Sequence, residues 1–153
     1  MIDAQTLTID LNGPAWLSVQ MDIPRVAPHD LLRWFIEPAL LTQWWSQEAA
    51  VDPHIGGRWE LRWPAMEWVL AGQIAEITPT SLVVSWAWTH EPGLPARVLI
   101  VRTEPSADGA TLRLLQGPYR QSDAFPGEDD DRASHLAGWQ HFLPKLLDAI
   151  AAS

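Results

Sequence analysis

The alternation of apolar and polar positions divides the chain into segments of two different periods. Residues 16–23, WLSVQMDI, repeat every two positions and predict a strand. TLTIDL before it reads as a separate short strand or as the start of the same one. From Pro28 the period lengthens. In PHDLLRWFI, Leu31, Leu32 and Phe35 share a helical face, proline heads the first turn, and Asp30 complements the helix dipole. Glu37-Pro38 ends that helix, and PALLTQWW opens a second short one. After Gly56-Gly57 the period returns to two. In RWELRW, Trp59, Leu61 and Trp63 point one way and Arg58, Glu60 and Arg62 the other. Four more strands follow at EWVLAGQIAEI, SLVVSWAWT, ARVLIVRTE and ATLRLLQ, joined by short turns as in an antiparallel meander. In the second of these, Leu82, Val84, Trp86 and Trp88 share a face. Residues 117–132 read as a polar loop ending in GEDDDR, whose acidic run suits a helix start. From Asp131 or Ala133 to Ala152, Leu136, Trp139, Leu143, Leu147 and Ile150 recur at helical spacing, and Pro144 inside this helix is expected to kink it.

This order predicts a single α+β domain over residues 1–153: a curved antiparallel sheet of about six strands against a long C-terminal helix, with two short helices after the first strand.

Composition narrows the partners. The net charge is −9, and the nine arginines and one lysine are scattered, so neither nucleic acid nor an anionic membrane is an expected partner. No stretch approaches the apolar length of a membrane span, and MIDAQTLTIDLNG lacks the features of a signal peptide. There are no cysteines, which removes thiol chemistry and agrees with a cytoplasmic location. The five histidines show no metal-binding spacing, EDDD lacks the spacing of a calcium loop, and no GxSxG or phosphate-binding glycine pattern occurs. No metal, cofactor or catalytic residue is expected.

Five stretches, APHDLLRWFIEP, LLTQWW, DPHIGGRWEL, GQIAEITPTSLVVSWAW and GWQHFLPKLL, resemble in order the motifs of the START-like or SRPBCC superfamily, in the branch named after the heat-shock-protein-ninety ATPase activator. The resemblance spans residues from about Trp16 to Ile150. It implies a helix-grip fold with a hydrophobic cavity between the last helix and the sheet. The family often carries a histidine near Gln116, so the resemblance implies that an ionisable group is missing here. The eukaryotic co-chaperone has a second domain with no counterpart in this sequence, so a chaperone partner is not expected.

Ten tryptophans make the strongest chemical signal. Most are expected to pack in the core. Those on alternating strand positions are expected to line the cavity, giving as candidates Trp59, Leu61, Trp63, Trp86 and Trp88 from the strands and Trp139 and Leu143 from the last helix. Polar candidates are Arg102, Gln116 and Tyr119. Trp44 and Trp45, about 100° apart on a helix, are expected to play a structural part, one inside and one covering the sheet edge. The functional expectation is non-catalytic binding of a small apolar or aromatic molecule. A cyclase- or hydratase-type enzyme and a protein-interaction module are the alternatives, and a homodimer is left open.

Overall fold

The computed structural model describes residues 7–10, 16–91, 97–119 and 128–153, with side chains described at 16–91, 97–119 and 131–153. Most of the predicted polar loop, at 120–127, lies outside the described residues. Eight strands form one antiparallel sheet: β1 (Leu7–Asp10), β2 (Leu17–Pro24), β3 (Glu48–Val51), β4 (Arg58–Trp63), β5 (Trp68–Thr78), β6 (Ser81–Trp88), β7 (Arg97–Pro105) and β8 (Gly109–Gly117). Their order across the sheet is β1-β2-β8-β7-β6-β5-β4-β3. Helices α1 (Pro28–Arg33) and α2 (Pro38–Leu41) lie between β2 and β3, and α3 (Glu128–Ala152) follows β8. The architecture is α+β and helix-grip-like.

One face of the sheet is apolar and covered. Leu17, Val19, Met21 and Ile23 of β2 lie in one buried cluster with Leu82 and Val84 of β6, Leu99 and Val101 of β7, and Leu112 and Leu114 of β8. Leu31, Leu32 and Phe35, from α1 and the turn after it, and Trp139, Leu143, Leu146 and Ile150 of α3 complete the cluster. The opposite face carries ion pairs such as Arg113 with Glu104.

The strand count exceeds the predicted six because β1 is separate and β3 carries no signal. EAAV in β3 pairs only with β4 and is half-exposed along most of its length, so no face of it is driven to be apolar. Helix α2 stops at Leu41, short of the predicted doublet, and residues 42–45 form turns. Helix α3 begins at Glu128, a turn earlier than its apolar periodicity shows, since the acidic run forms its first turn. It continues through Pro144.

The glycine pair ahead of β4 ties a loop to β5. The Gly56 N–H donates to the Ile74 carbonyl at 2.7 Å, and the Ile74 N–H donates back to the Gly57 carbonyl at 2.9 Å. Gly56 has φ +83° with open space around it, whereas a Cβ on Gly57 would sit 2.1 Å from the Asp52 carbonyl oxygen. Gly56→Ala should therefore lose about 1 kcal/mol, the usual left-handed penalty. Gly57→Ala should lose more, because backbone must move. Chemical denaturation of the two variants checks the order; equal losses would show that the loop yields freely.

Candidate functional site

The turn at residues 42–45 sends both indoles of the doublet inward. Trp44 and Trp45 are buried and stack on each other, with centroids 5.0 Å apart and planes at 27°. The expectation that one would cover the sheet edge fails because the 100° helical offset does not apply in a turn. Trp45 becomes a hub, with Trp44, Trp59, Trp63, Trp86 and Trp139 all at centroid distances of 5.0–6.5 Å. A buried indole N–H needs an acceptor. Trp44 donates to the Trp34 carbonyl, Trp59 to that of Phe35 and Trp63 to that of Trp45, at 2.9–3.0 Å. Trp86 Nε1 is buried and has no partner among the described residues.

Beside this hub lies a cavity of about 560 Å³ between α3 and the β4–β6 end of the sheet. Trp63, Trp86 and Trp88 wall one side, and Trp139, Gly138 and Phe142 of α3 wall the other. Met66, Trp68 and His90 border it and are exposed to solvent, Met66 by 57% and Trp68 by 42%. A second cleft, about 670 Å³, lies between α1 and the end of α3 and is lined by Arg25, Asp30, Arg33, Trp34 and Ile150. It has the larger volume, but its walls mix surface charges with few aromatic rings. The indole cavity, where polar groups converge at one place, has the character of a binding site.

Those polar groups form a connected set. Trp139 Nε1–H donates to Gln116 Oε1 at 2.8 Å. His135 Nδ1 lies 2.6 Å from the Tyr119 hydroxyl and 3.4 Å from Gln116 Nε2. Arg97, 5% exposed, pairs with Asp131 at 3.2 Å and lies over the Tyr119 ring at 4.6 Å. Burial pushes the His135 imidazole down from 6.5 to about 4; the Arg97 charge lowers it further, and Asp131 opposes both. His135 is therefore neutral at pH 7.

The ten predicted residues divide into three groups. Trp63, Trp86, Trp88, Gln116 and Trp139 line the cavity. Trp59, Leu61, Leu143 and Tyr119 are fully buried in the core, and Tyr119 also supports His135 from behind. Arg102 is a correction: it is exposed on the outer face, opposite Ser81 and Arg113 in register. Strand parity decides this, because Arg97, Leu99, Val101 and Thr103 take the buried positions of β7. The inward arginine is Arg97. His135 and Trp45 are the residues that sequence reasoning missed. His135 precedes Trp139 by four, so it shares a helical face with a residue already assigned to the cavity. An ionisable group from α3, His135, lies against Gln116 at 3.4 Å. Among the described residues no cluster of histidine and carboxylate groups could hold a metal ion, and no helix is long and apolar enough to cross a membrane.

Residues 25–152 match the family described as Activator of Hsp90 ATPase homolog 1-like protein. The chain belongs to this family. Among solved structures, a protein from Mesorhizobium loti is similar with TM-score 0.78 and 21% identity, over 90% of this chain and 98% of that one. An Hsp90 activator from Plasmodium falciparum is similar with TM-score 0.66 and 22% identity, over 89% and 94% of the two chains. DynU16, a protein in the dynemicin biosynthetic locus, is similar with TM-score 0.73 and 15% identity, over 90% of this chain and 47% of that one. At these identities the likeness is one of fold. No curated protein matches the sequence.

Proposed function

We propose that this member of the family binds a small, largely apolar aromatic molecule between α3 and the sheet, without transforming it. The observation that carries the reading is the indole-walled cavity of about 560 Å³, whose polar groups gather at the Gln116–His135 end. Flat aromatic walls favour a flat ligand through offset and edge-to-face contacts. The volume falls within the range of small-molecule sites, roughly 300–1,000 Å³.

Native mass spectrometry of protein purified from cells, followed by tryptophan-fluorescence titration against lipid and aromatic libraries, tests the proposal. Saturable quenching by aromatic compounds is the expected result. No retained mass and no quenching by any class would refute it.

A cyclase or hydratase acting on a polyketide-like substrate is supported by one observation, the polar set around His135. The likeness to DynU16, from a biosynthetic locus, adds to it. A histidine titrating near pH 4 is a weak base at neutral pH, which favours binding over acid–base work. Turnover of a polyketide-like compound that stops in His135→Phe would reverse that order. A protein-interaction module is disfavoured by the space beside the rings, which an interior filled with indoles would lack.

A further inference from the structure

We infer that His135 presents its Nε2–H to the cavity as a hydrogen-bond donor, so that the site selects aromatic ligands bearing an acceptor oxygen, such as an aryl carbonyl, over hydrocarbons of the same shape. This deepens the binding reading above and rests on it.

Trp139 sets the orientation of the whole group. An indole N–H can only donate, so its 2.8 Å bond fixes the Gln116 amide with its carbonyl toward Trp139. The amide NH2 then faces His135 Nδ1, at 3.4 Å. An amide donor on that side favours a lone pair at Nδ1, since an Nδ1–H would meet it donor to donor. The Tyr119 hydroxyl at 2.6 Å therefore donates to Nδ1 as well. With Nδ1 accepting and the ring neutral, the ring proton is on Nε2. Gln116 and Tyr119 are both buried, so Nδ1 is turned toward the protein. Nε2 is the nitrogen left for the cavity that His135 lines.

Burial of the ring, more than the charges around it, keeps this arrangement. Arg97 of β7, held by Asp131, sits behind Tyr119 and opposes protonation of the imidazole. A ligand that brought only donors to this end would leave the His135 Nε2–H unpaired, whereas an acceptor oxygen completes it.

Two measurements test the inference. The first needs no ligand: 15N NMR of the imidazole nitrogens at pH 7 is expected to show Nε2 protonated and Nδ1 bare, and the opposite tautomer would overturn the inference. The second compares 2-acetylnaphthalene with 2-ethylnaphthalene, which has a similar shape and no acceptor. The wild-type protein should bind the ketone about five- to tenfold more tightly, the usual worth of one neutral hydrogen bond. His135→Phe should reduce that ratio to near one, whatever the variant's affinity for 2-ethylnaphthalene. Equal affinities in the wild-type protein, or a preference that survives in His135→Phe, would overturn the donor role and leave the binding reading standing. Failure of both compounds to bind, together with no retained mass and no quenching by any class, would overturn the binding reading and the inference with it.

Discussion

Trp45→Ala should lower the unfolding free energy by about 3–5 kcal/mol, the range for removing a large aromatic side chain from a core. For a chain of this size that is a fall of about 10 °C in melting temperature. Trp45 meets five other indoles and Phe35. Four of those indoles, Trp44, Trp59, Trp63 and Trp139, are held by their own N–H bonds, to the carbonyls of Trp34, Phe35 and Trp45 and to Gln116, so the rings cannot all collapse into the space. The hole is accordingly expected to stay open and to merge with the cavity that Trp45 borders. Trp68→Ala is the control: its ring is 42% exposed at the cavity mouth, and its loss should change stability by less than about 1 kcal/mol. Denaturant unfolding of the two variants measures the contrast. A Trp45→Ala loss no larger than that of Trp68→Ala would mean that the hub is not the centre of the core.

Acidification supplies the second large effect. The unfolded chain protonates His135 near 6.5, whereas the folded protein holds it to about 4. Below pH 6.5 the unfolded state therefore binds the extra proton first, and stability falls as pH falls, levelling off below about 4. At pH 4 the loss reaches about 3 kcal/mol, since each pH unit between the two values is worth about 1.4 kcal/mol. The comparison is with His135→Phe, which removes this group and keeps the rest of the chain's acid response. The wild-type protein should lose about 3 kcal/mol more than the variant between pH 7 and pH 4, and the two should run parallel above pH 7. Parallel curves across the whole range would mean that His135 titrates normally.

The fold was legible wherever one face of an element is driven to be apolar. β4 and β6 follow from alternation alone, and helical spacing finds Trp139, Leu143 and Ile150 of the buried stripe of α3, though not Leu146. β3 did not, because an edge strand half-exposed along its length leaves EAAV without a pattern. β7 shows why side assignment is harder than element assignment. Its two faces, Leu99 and Val101 against Val98 and Ile100, are equally apolar in sequence, so nothing local says which arginine turns inward. The site was legible in its walls and not in its polar end. Trp63, Trp86 and Trp88 carry a strand period. His135 carries only a four-residue offset from Trp139 on a helix whose first turns have no apolar stripe. Trp45 escapes a sequence reading because the pattern continues a helix that the chain abandons at Leu41.

The close spacing of the rings also makes the interior an antenna. Trp44, Trp45, Trp59, Trp63, Trp68, Trp86, Trp88 and Trp139 form an unbroken series of contacts with centroids 5.0–6.5 Å apart, from beneath α1 to the solvent-exposed mouth. Excitation absorbed deep in the protein can pass from ring to ring until it reaches those bordering the cavity. A bound molecule able to accept that energy darkens indoles it never touches, so one occupied site speaks for nearly the whole of the protein's light.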